Sequence, residues 1–146
     1  MEIRSELQID APPERVWELT VDVERWPSLT PTVTAVARLD DGPFGLGSQA
    51  RIEQPGQRPA IWTVTDFVPN AVFSWQTKVA TVTMRGGHRL EATADGGTRN
   101  ALTISLTGLG SSLLGRLVGR KVRQAIQTEN EGFKAEAERT SHETPS

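Results

Sequence analysis

Few side chains in this chain have the chemistry of a general acid or base. The chain contains two histidines and neither cysteine nor tyrosine, which excludes thiol nucleophiles, cysteine-ligated metals and a phenolic acid. His142 lies in the C-terminal tail, so His88 is the histidine of the folded domain, and the carboxylates Asp66 and Glu129 join it as candidates. Two cations that could stabilise an anion complete the set: Arg51 and Arg85.

His88 follows a glycine pair in the segment TVTMRGGHRLEAT, residues 81–93. Its even positions share an apolar or small character and are Val82, Met84, Gly86, His88, Leu90 and Ala92. Without a bulge, the period of two places His88 on the inner face of a sheet. Gly86-Gly87 is where a bulge or turn would reverse that face. His88 is therefore either a hydrogen-bonded core residue or a group that contacts a ligand and exchanges a proton with it.

Glu129 interrupts the apolar stripe of a long C-terminal helical segment. At about 100° per residue, the stripe consists of Leu114, Val118, Val122, Ala125, Ile126 and Phe133, and Glu129 falls near its centre. A carboxylate that faces a dry core is costly unless it is paired or protonated. Either the helix has reached an open end where Glu129 meets water, or Glu129 points into the polar part of an internal cavity.

The elements that must position these groups follow from periodicity and turn residues. Alternation over Ile3 to Ile9 predicts a first strand. Pro13 suits the first turn of a helix, and Trp26-Pro27 predicts the end of that helix, because the residue before proline is pushed out of the α region. Six runs bounded by Gly, Pro and Asn follow and predict short strands joined by tight turns: 32–39, 48–54, 60–68, 71–84, 88–93 and 101–106.

Residues 110–139 contain no proline and predict a long helix. An antiparallel sheet with one apolar face needs a cover, and this helix is the element long enough to provide it. The predicted fold is α+β: a curved seven-stranded antiparallel sheet wrapped around the C-terminal helix, with two short helices after the first strand. We expect residues 1–139 to form a single domain and residues 140–146 a disordered tail.

The inner side of such a sheet collects aromatic side chains. Phe73 and Trp75 alternate with Ser74 and Gln76 and are expected inside. In residues 60–68, Trp62, Val64 and Val68 compete with Ile61 and Phe67 for the inner face, and Trp62 is favoured. The residues expected to contact a ligand are Trp26, Trp62, Phe73, Trp75, Met84, His88, Val122, Ile126, Glu129 and Phe133.

Charge and composition narrow the classes of partner. The formal net charge is −2, so neither nucleic acid nor an anionic surface is favoured globally. Arg116, Arg120 and Arg123 lie opposite the apolar stripe and predict a solvated face, with an anionic partner as the alternative. The amino terminus lacks a basic and then apolar leader, and no apolar run approaches about 18 residues, so we expect a cytoplasmic protein without stable membrane insertion.

Four segments together resemble the START-like helix-grip superfamily, SRPBCC, in its polyketide cyclase/dehydrase-like branch. They are residues 9–29 (IDAPPERVWELTVDVERWPSL), 62–75 (WTVTDFVPNAVFSW), 88–108 (HRLEATADGGTRNALTISLTG) and the long helix. The resemblance implies a cavity between sheet and helix for a lipid, polyketide, isoprenoid or quinone. Iron-binding relatives exist, but this chain lacks the ligands, so no metal and no cofactor are expected. The family shares no catalytic residue set.

Three functions remain open from the sequence. The first is a carrier or binding protein for an apolar small molecule. The second is an aromatic polyketide cyclase or dehydratase in which His88 is the general acid/base and Glu129 orients it or takes a second proton. The third is a cochaperone-like protein-interaction module, with an exposed apolar patch and a filled interior. A monomer or a homodimer is expected in each case.

Overall fold

The structure is a computed structural model that describes the backbone of residues 1–143 and the side chains of residues 1–140. The elements in chain order are β1 (Glu2–Ile9), α1 (Pro13–Val21), a 3-10 turn (Val23–Arg25), α2 (Trp26–Leu29), β2 (Ala35–Arg38), β3 (Gln49–Glu53), β4 (Ala60–Val68), β5 (Val72–Val79), β6 (Val82–Ala92), β7 (Thr98–Gly108) and α3 (Ser111–Glu143).

The seven strands form one antiparallel sheet in the order β1-β7-β6-β5-β4-β3-β2. Strands β2 to β7 are a meander of sequential hairpins, and β1 pairs with β7 at one edge, with Ile3 opposite Ile104 and Ile9 opposite Thr98. Helix α3 packs mainly against β1 and β7. The predicted α+β arrangement, with two short helices after the first strand and a long helix against the sheet, is confirmed.

The Trp26-Pro27 step begins a helix rather than ending one. Helix α1 ends at Val21, and the chain passes through the 3-10 turn into α2, where Trp26 has φ −53° and ψ −36°. The prediction that this step breaks the helix is wrong. Proline is accepted in the first turn of a helix because its missing N–H would have no intrahelical partner there.

The turn expected at Gly86-Gly87 lies instead at Ala80-Thr81. Ala80 adopts a φ of 54°, and the chain reverses there between β5 and β6. The glycine pair remains inside β6, without a bulge against β5 or β7. A Cβ on Gly86 would lie 3.5 Å from the Trp75 ring, and one on Gly87 would lie 2.7 Å from Thr103 Oγ1. The pair therefore serves close packing on both faces of the sheet, and His88 keeps its predicted inward direction.

A β-bulge in β4 decides which of its side chains point to the inner face of the sheet. The register against β5 shifts between Val64 and Asp66, so the inward side changes parity along the strand. Trp62 and Val64 are buried before the bulge, as favoured from the sequence. Phe67 turns inward after it and contacts Trp17 of α1, with ring centroids 5.3 Å apart.

Helix α3 is longer than predicted and approaches α2 closely. It continues to Glu143, four residues past the predicted end at Arg139, so residues 140–143 of the predicted tail are helical and residues 144–146 lie outside the described part. At Gly132 a side chain would collide with the carbonyl oxygen of Leu29. A glycine here therefore lets the last residues of α2 pack directly on the helix.

Candidate functional site

A cavity of about 590 Å³ lies between the inner face of the sheet and α3. Its volume is within the range of roughly 300–1,000 Å³ typical of pockets for small organic ligands. It reaches solvent between the β3–β4 connection and the first half of α3, because Gln57, Arg58 and Lys121 belong both to its wall and to the exposed surface. Val79 at the end of β5 is half exposed and also lines this opening.

Most of the wall is apolar. The sheet and the α2–β2 region contribute Trp26, Val33, Ile52, Ala60, Trp62, Trp75, Val79, Met84, Leu102 and Ile104, and α3 contributes Leu114, Val118, Val122, Ala125 and Ile126. The polar side chains are few: Gln54, Gln57, Arg58, Thr77, His88, Lys121 and Glu129. An apolar wall with a few polar groups is the usual composition of a site for an apolar molecule.

Eight of the ten residues expected to contact a ligand lie in this wall. They are Trp26, Trp62, Trp75, Met84, His88, Val122, Ile126 and Glu129. Phe73 and Phe133 do not line it: both are fully buried, with ring centroids 5.3 Å and 5.9 Å from that of His88. Both rings pack behind the cavity wall, so a direct contact between either of them and a ligand stays a prediction.

His88 lies in β6 with aromatic rings on three sides. The centroids of Trp26 and Phe73 are 5.4 Å and 5.3 Å from its own, and Phe133 closes the third side. Its Nδ1 is buried and has no hydrogen-bond partner among the described residues. Burial lowers the pKa of His88 to about 3, because a charged imidazole would lose its hydration without gaining a partner. His88 is therefore neutral at physiological pH.

Glu129 of α3 faces the cavity rather than an open end of the grip. It is partly buried and belongs to the cavity wall. Within residues 1–140 no hydrogen bond or ion pair reaches its carboxylate, and burial raises the pKa of Glu129 to about 7. Of the two alternatives left by the sequence, the geometry matches the cavity, and a carboxyl of this kind exchanges a proton near neutral pH.

The remaining acid–base candidate, Asp66, and the two cations considered as anion stabilisers lie on the opposite face of the sheet. Asp66 forms an ion pair with Arg85 there, and both side chains are nearly half exposed. Arg51 is exposed and pairs with Glu53 at 3.5 Å. None of these residues lines the cavity, so the sequence candidates that the structure brings to one site are His88 and Glu129.

Several wall residues were missed by the sequence reasoning. Ile52 and Leu102 alternate with outward residues in β3 and β7, so the period of two would have found them. The β3–β4 connection, which brings Gln54, Gln57 and Arg58 to the opening, carries no periodic signal. Its approach to α3 depends on the curvature of the whole sheet.

The described residues provide neither a cluster of metal ligands nor a helix that could span a membrane. Among the residues whose side chains are described, no group of three or more His, Cys, Asp or Glu is placed to hold a metal ion. Over residues 1–143, none of the helices has both the length and the apolar composition needed to cross a bilayer.

Sequence comparison identifies a family for nearly the whole chain. A family model described as polyketide cyclase / dehydrase and lipid transport matches residues 1–138. No curated protein sequence matches the chain significantly.

Three solved structures illustrate the likeness of the fold. Protein TTHA0849 from Thermus thermophilus superposes with a TM-score of 0.76 at 20% identity, covering 97% of this chain and 99% of the other. Ara h 8.0201 gives 0.74 at 16% identity, covering 94% and 97%. The Zhui aromatase/cyclase of a Streptomyces species gives 0.66 at 20% identity, covering 90% and 93%. At these identities the comparisons show the fold alone.

Proposed function

The chain belongs to the polyketide cyclase / dehydrase and lipid transport family, and from this membership we propose that it binds an apolar small molecule in the cavity between the sheet and α3. The ligand classes in question are lipids, polyketides, isoprenoids and quinones. In this proposal the protein is a carrier or binding protein, and the cavity is the binding site.

The observation that carries this proposal is the cavity itself, about 590 Å³ with aromatic and aliphatic walls. The interior of a protein is normally close-packed, with few voids larger than a water molecule. A protein-interaction module would need no such space, so the cavity counts against the third hypothesis. Apolar burial stabilises a bound ligand by about 25 cal/mol per Å² removed from water.

The polar groups of the wall indicate which functional groups a ligand would carry. The carboxyl of Glu129 lines the cavity and has no hydrogen-bond partner among residues 1–140, and a buried polar group without a hydrogen bond costs about 1–3 kcal/mol. A ligand with one polar group on an apolar body would recover part of this cost at Glu129. The proposal therefore favours ligands such as hydroxylated or ketone-bearing molecules over pure hydrocarbons.

Native mass spectrometry of the purified protein, followed by thermal-shift measurements with fatty acids, quinones and aromatic polyketides, tests this function. A ligand at about 100 times its Kd should stabilise the protein by about 2.7 kcal/mol and raise Tm by roughly 5–10 °C. If no co-purified molecule appears and none of these classes changes Tm, the binding function is wrong.

The second candidate function is an aromatic polyketide cyclase or dehydratase. Two structural neighbours are an aromatase/cyclase from a Streptomyces species and the di-domain ARO/CYC BexL, and the chain covers 93% of the first and 45% of the second. A general acid/base works best when its pKa is near the operating pH. That criterion favours Glu129, with a pKa of about 7, over His88, with a pKa of about 3.

In this second candidate the roles expected from the sequence are exchanged. Glu129 takes the proton from an enolisable position of the substrate, and neutral His88 hydrogen-bonds the substrate and holds its orientation. Product formation from a linear polyketide should then fall far more in Glu129→Gln than in His88→Phe. Equal rates for wild type and Glu129→Gln would remove Glu129 from catalysis.

A further inference from the structure

The first half of α3 exposes leucines that no other element of residues 1–143 covers. Leu113 and Leu117 are 64% and 72% exposed, and Leu109, in the connection before the helix, is 81% exposed. Leu113 and Leu117 are four residues apart and lie on one side of the helix. We call Leu109, Leu113 and Leu117 the leucine face.

The leucine face is surrounded by cations without acidic neighbours in sequence. Residues 109–128 contain Arg116, Arg120, Lys121 and Arg123 and no Asp or Glu, although the whole chain has a net charge of −2. All four side chains are exposed, and none of them forms an ion pair with another described residue. Charges that serve only to solvate a surface are usually interspersed in sign, so this segment stands apart from the rest of the surface.

The leucine face adjoins the opening of the cavity. At about 100° per residue, Leu114, Val118 and Lys121 lie on the next arc of the helix, and all three line the cavity. The β5–β6 turn reaches the same end of the molecule, because Thr81 Oγ1 donates a hydrogen bond of 2.7 Å to the carbonyl oxygen of Leu109. Val79, half exposed in the cavity wall, ends the strand that leads into this turn.

We propose that the leucine face docks on an anionic lipid bilayer, with the cavity opening turned towards the membrane. An exposed apolar row flanked by arginine and lysine is the composition of helices that lie in the membrane interface, with apolar side chains at the acyl boundary and cations at the phosphates. Helix α3 does this as a peripheral element, since it is not apolar enough to span.

Charge complementarity distinguishes the bilayer from a second copy of this chain. A symmetric dimer through the leucine face would place Arg116 and Arg120 of one copy near the same cations of the other, with no carboxylate in residues 109–128 to pair them. An anionic lipid surface supplies the counter-charge along the whole segment.

Docking also gives the cavity a route for loading. An apolar molecule that leaves the bilayer beside Leu114 and Val118 would enter the cavity without crossing water. This second step rests on the proposed binding function, whereas docking itself does not.

Co-sedimentation with vesicles tests the docking. Wild-type protein is compared on phosphatidylcholine vesicles with and without about 30% phosphatidylglycerol, at low and high salt. The test variants are Leu113→Gln/Leu117→Gln and Arg116→Gln/Arg120→Gln, since glutamine keeps helix propensity. The matched control is Leu46→Gln, because Leu46 is 73% exposed, like Leu117, but lies in the β2–β3 connection.

We expect the wild-type protein to bind only the anionic vesicles, and high salt to weaken this binding. Each double variant should bind at least about tenfold more weakly, whereas Leu46→Gln should bind like wild type. Docking is overturned if the wild-type protein does not bind anionic vesicles, or if Leu46→Gln loses as much binding as Leu113→Gln/Leu117→Gln. It is also overturned if light scattering shows a dimer that the leucine substitutions dissociate. Binding of an apolar fluorescent probe to the wild-type protein is measured in parallel without vesicles. If the protein docks on vesicles but does not bind the probe, the cavity function is overturned. If it binds the probe but does not dock, the docking proposal is overturned.

Discussion

Asn100 of β7 donates a hydrogen bond of 2.9 Å from its side-chain Nδ2 to Oδ1 of Asn130 in α3, and both residues are fully buried. The Nδ2 of Asn130 in turn donates to the carbonyl oxygens of Ser5 and Asn100, each at 3.2 Å. These bonds fix the rotation of α3 relative to β1 and β7. The rotation matters for the site, because Glu129 is the preceding residue and faces the cavity.

Asn130→Ala should lower the free energy of unfolding by about 2–4 kcal/mol, because it leaves buried groups of Asn100 and Ser5 without partners. Urea unfolding measures this. Glu131→Ala, at the exposed neighbouring position, is the control and should change stability by less than about 0.5 kcal/mol. In a double-mutant cycle with Asn100→Ala the two losses should not add; additive losses would mean that the two amides do not act together.

Ala125→Phe should fill part of the cavity, because Ala125 lines it from α3. We expect affinity for an apolar fluorescent probe to fall at least about tenfold, while Tm without ligand stays equal or rises, because an unoccupied space is filled. Gln124→Phe places the same ring on the exposed side of the helix and should leave probe binding unchanged. Undiminished binding in Ala125→Phe would move the binding site elsewhere.

Glu129→Gln should stabilise the protein, and more so as pH rises. Burial raises the pKa of Glu129 from 4.5 to about 7, so between these values the folded state holds a proton that the unfolded state releases. Wild type therefore loses stability over that window, and the glutamine does not. Since Glu129 is partly exposed, the advantage above about pH 7 is roughly 1–3 kcal/mol.

Chemical denaturation of Glu129→Gln and wild type at several pH values measures this advantage. The control is Glu131→Gln, two residues along α3 and exposed. A stability difference that does not change between pH 4.5 and 7 would contradict the burial of the Glu129 carboxyl.

His88→Phe should stabilise the protein increasingly as pH falls. The pKa of His88 is lowered from 6.5 to about 3 by burial, so below about 6.5 the unfolded state binds a proton that the folded state does not. Wild type therefore loses stability as pH falls through this window, by about 2 kcal/mol at about pH 5, whereas phenylalanine has no such loss.

Nitrogen-15 NMR of the two histidines checks the cause directly. The imidazole signals that are present in wild type and missing from His88→Phe belong to His88. In wild type they should keep the shifts of a neutral imidazole down to below about pH 5. His142→Phe serves as the control and should leave that set intact. A His88 signal half-protonated near 6.5 would show that the ring is hydrated.

Local patterns in the sequence predicted most of the sheet and the long helix. Alternation over Ile3 to Ile9 and about Trp75 identified inward side chains correctly, because the period of a strand is a property of the backbone and needs no knowledge of neighbours. The period of a helix is likewise a property of the backbone, and it placed Glu129 in the apolar stripe of α3.

Prediction failed where neighbours in space decided the outcome. Gly86-Gly87 has the composition of a turn, yet it remains in β6 because Trp75 and Thr103 pack against it. Phe73 and Phe133 have the same inward pattern as Trp75 and Val122. Their exclusion from the wall follows from how tightly the rings around His88 close one end of the interior.

The sequence by itself determined which side chains point inward in the strands without a bulge, which family the chain resembles and where the cations of α3 lie, since each depends on residues close together in the chain. The tertiary structure alone decided that the grip encloses about 590 Å³, that the β3–β4 connection reaches the opening, and that burial shifts the pKa of His88 and of Glu129 in opposite directions. Volume and desolvation are sums over residues distant in sequence, so no local pattern encodes them.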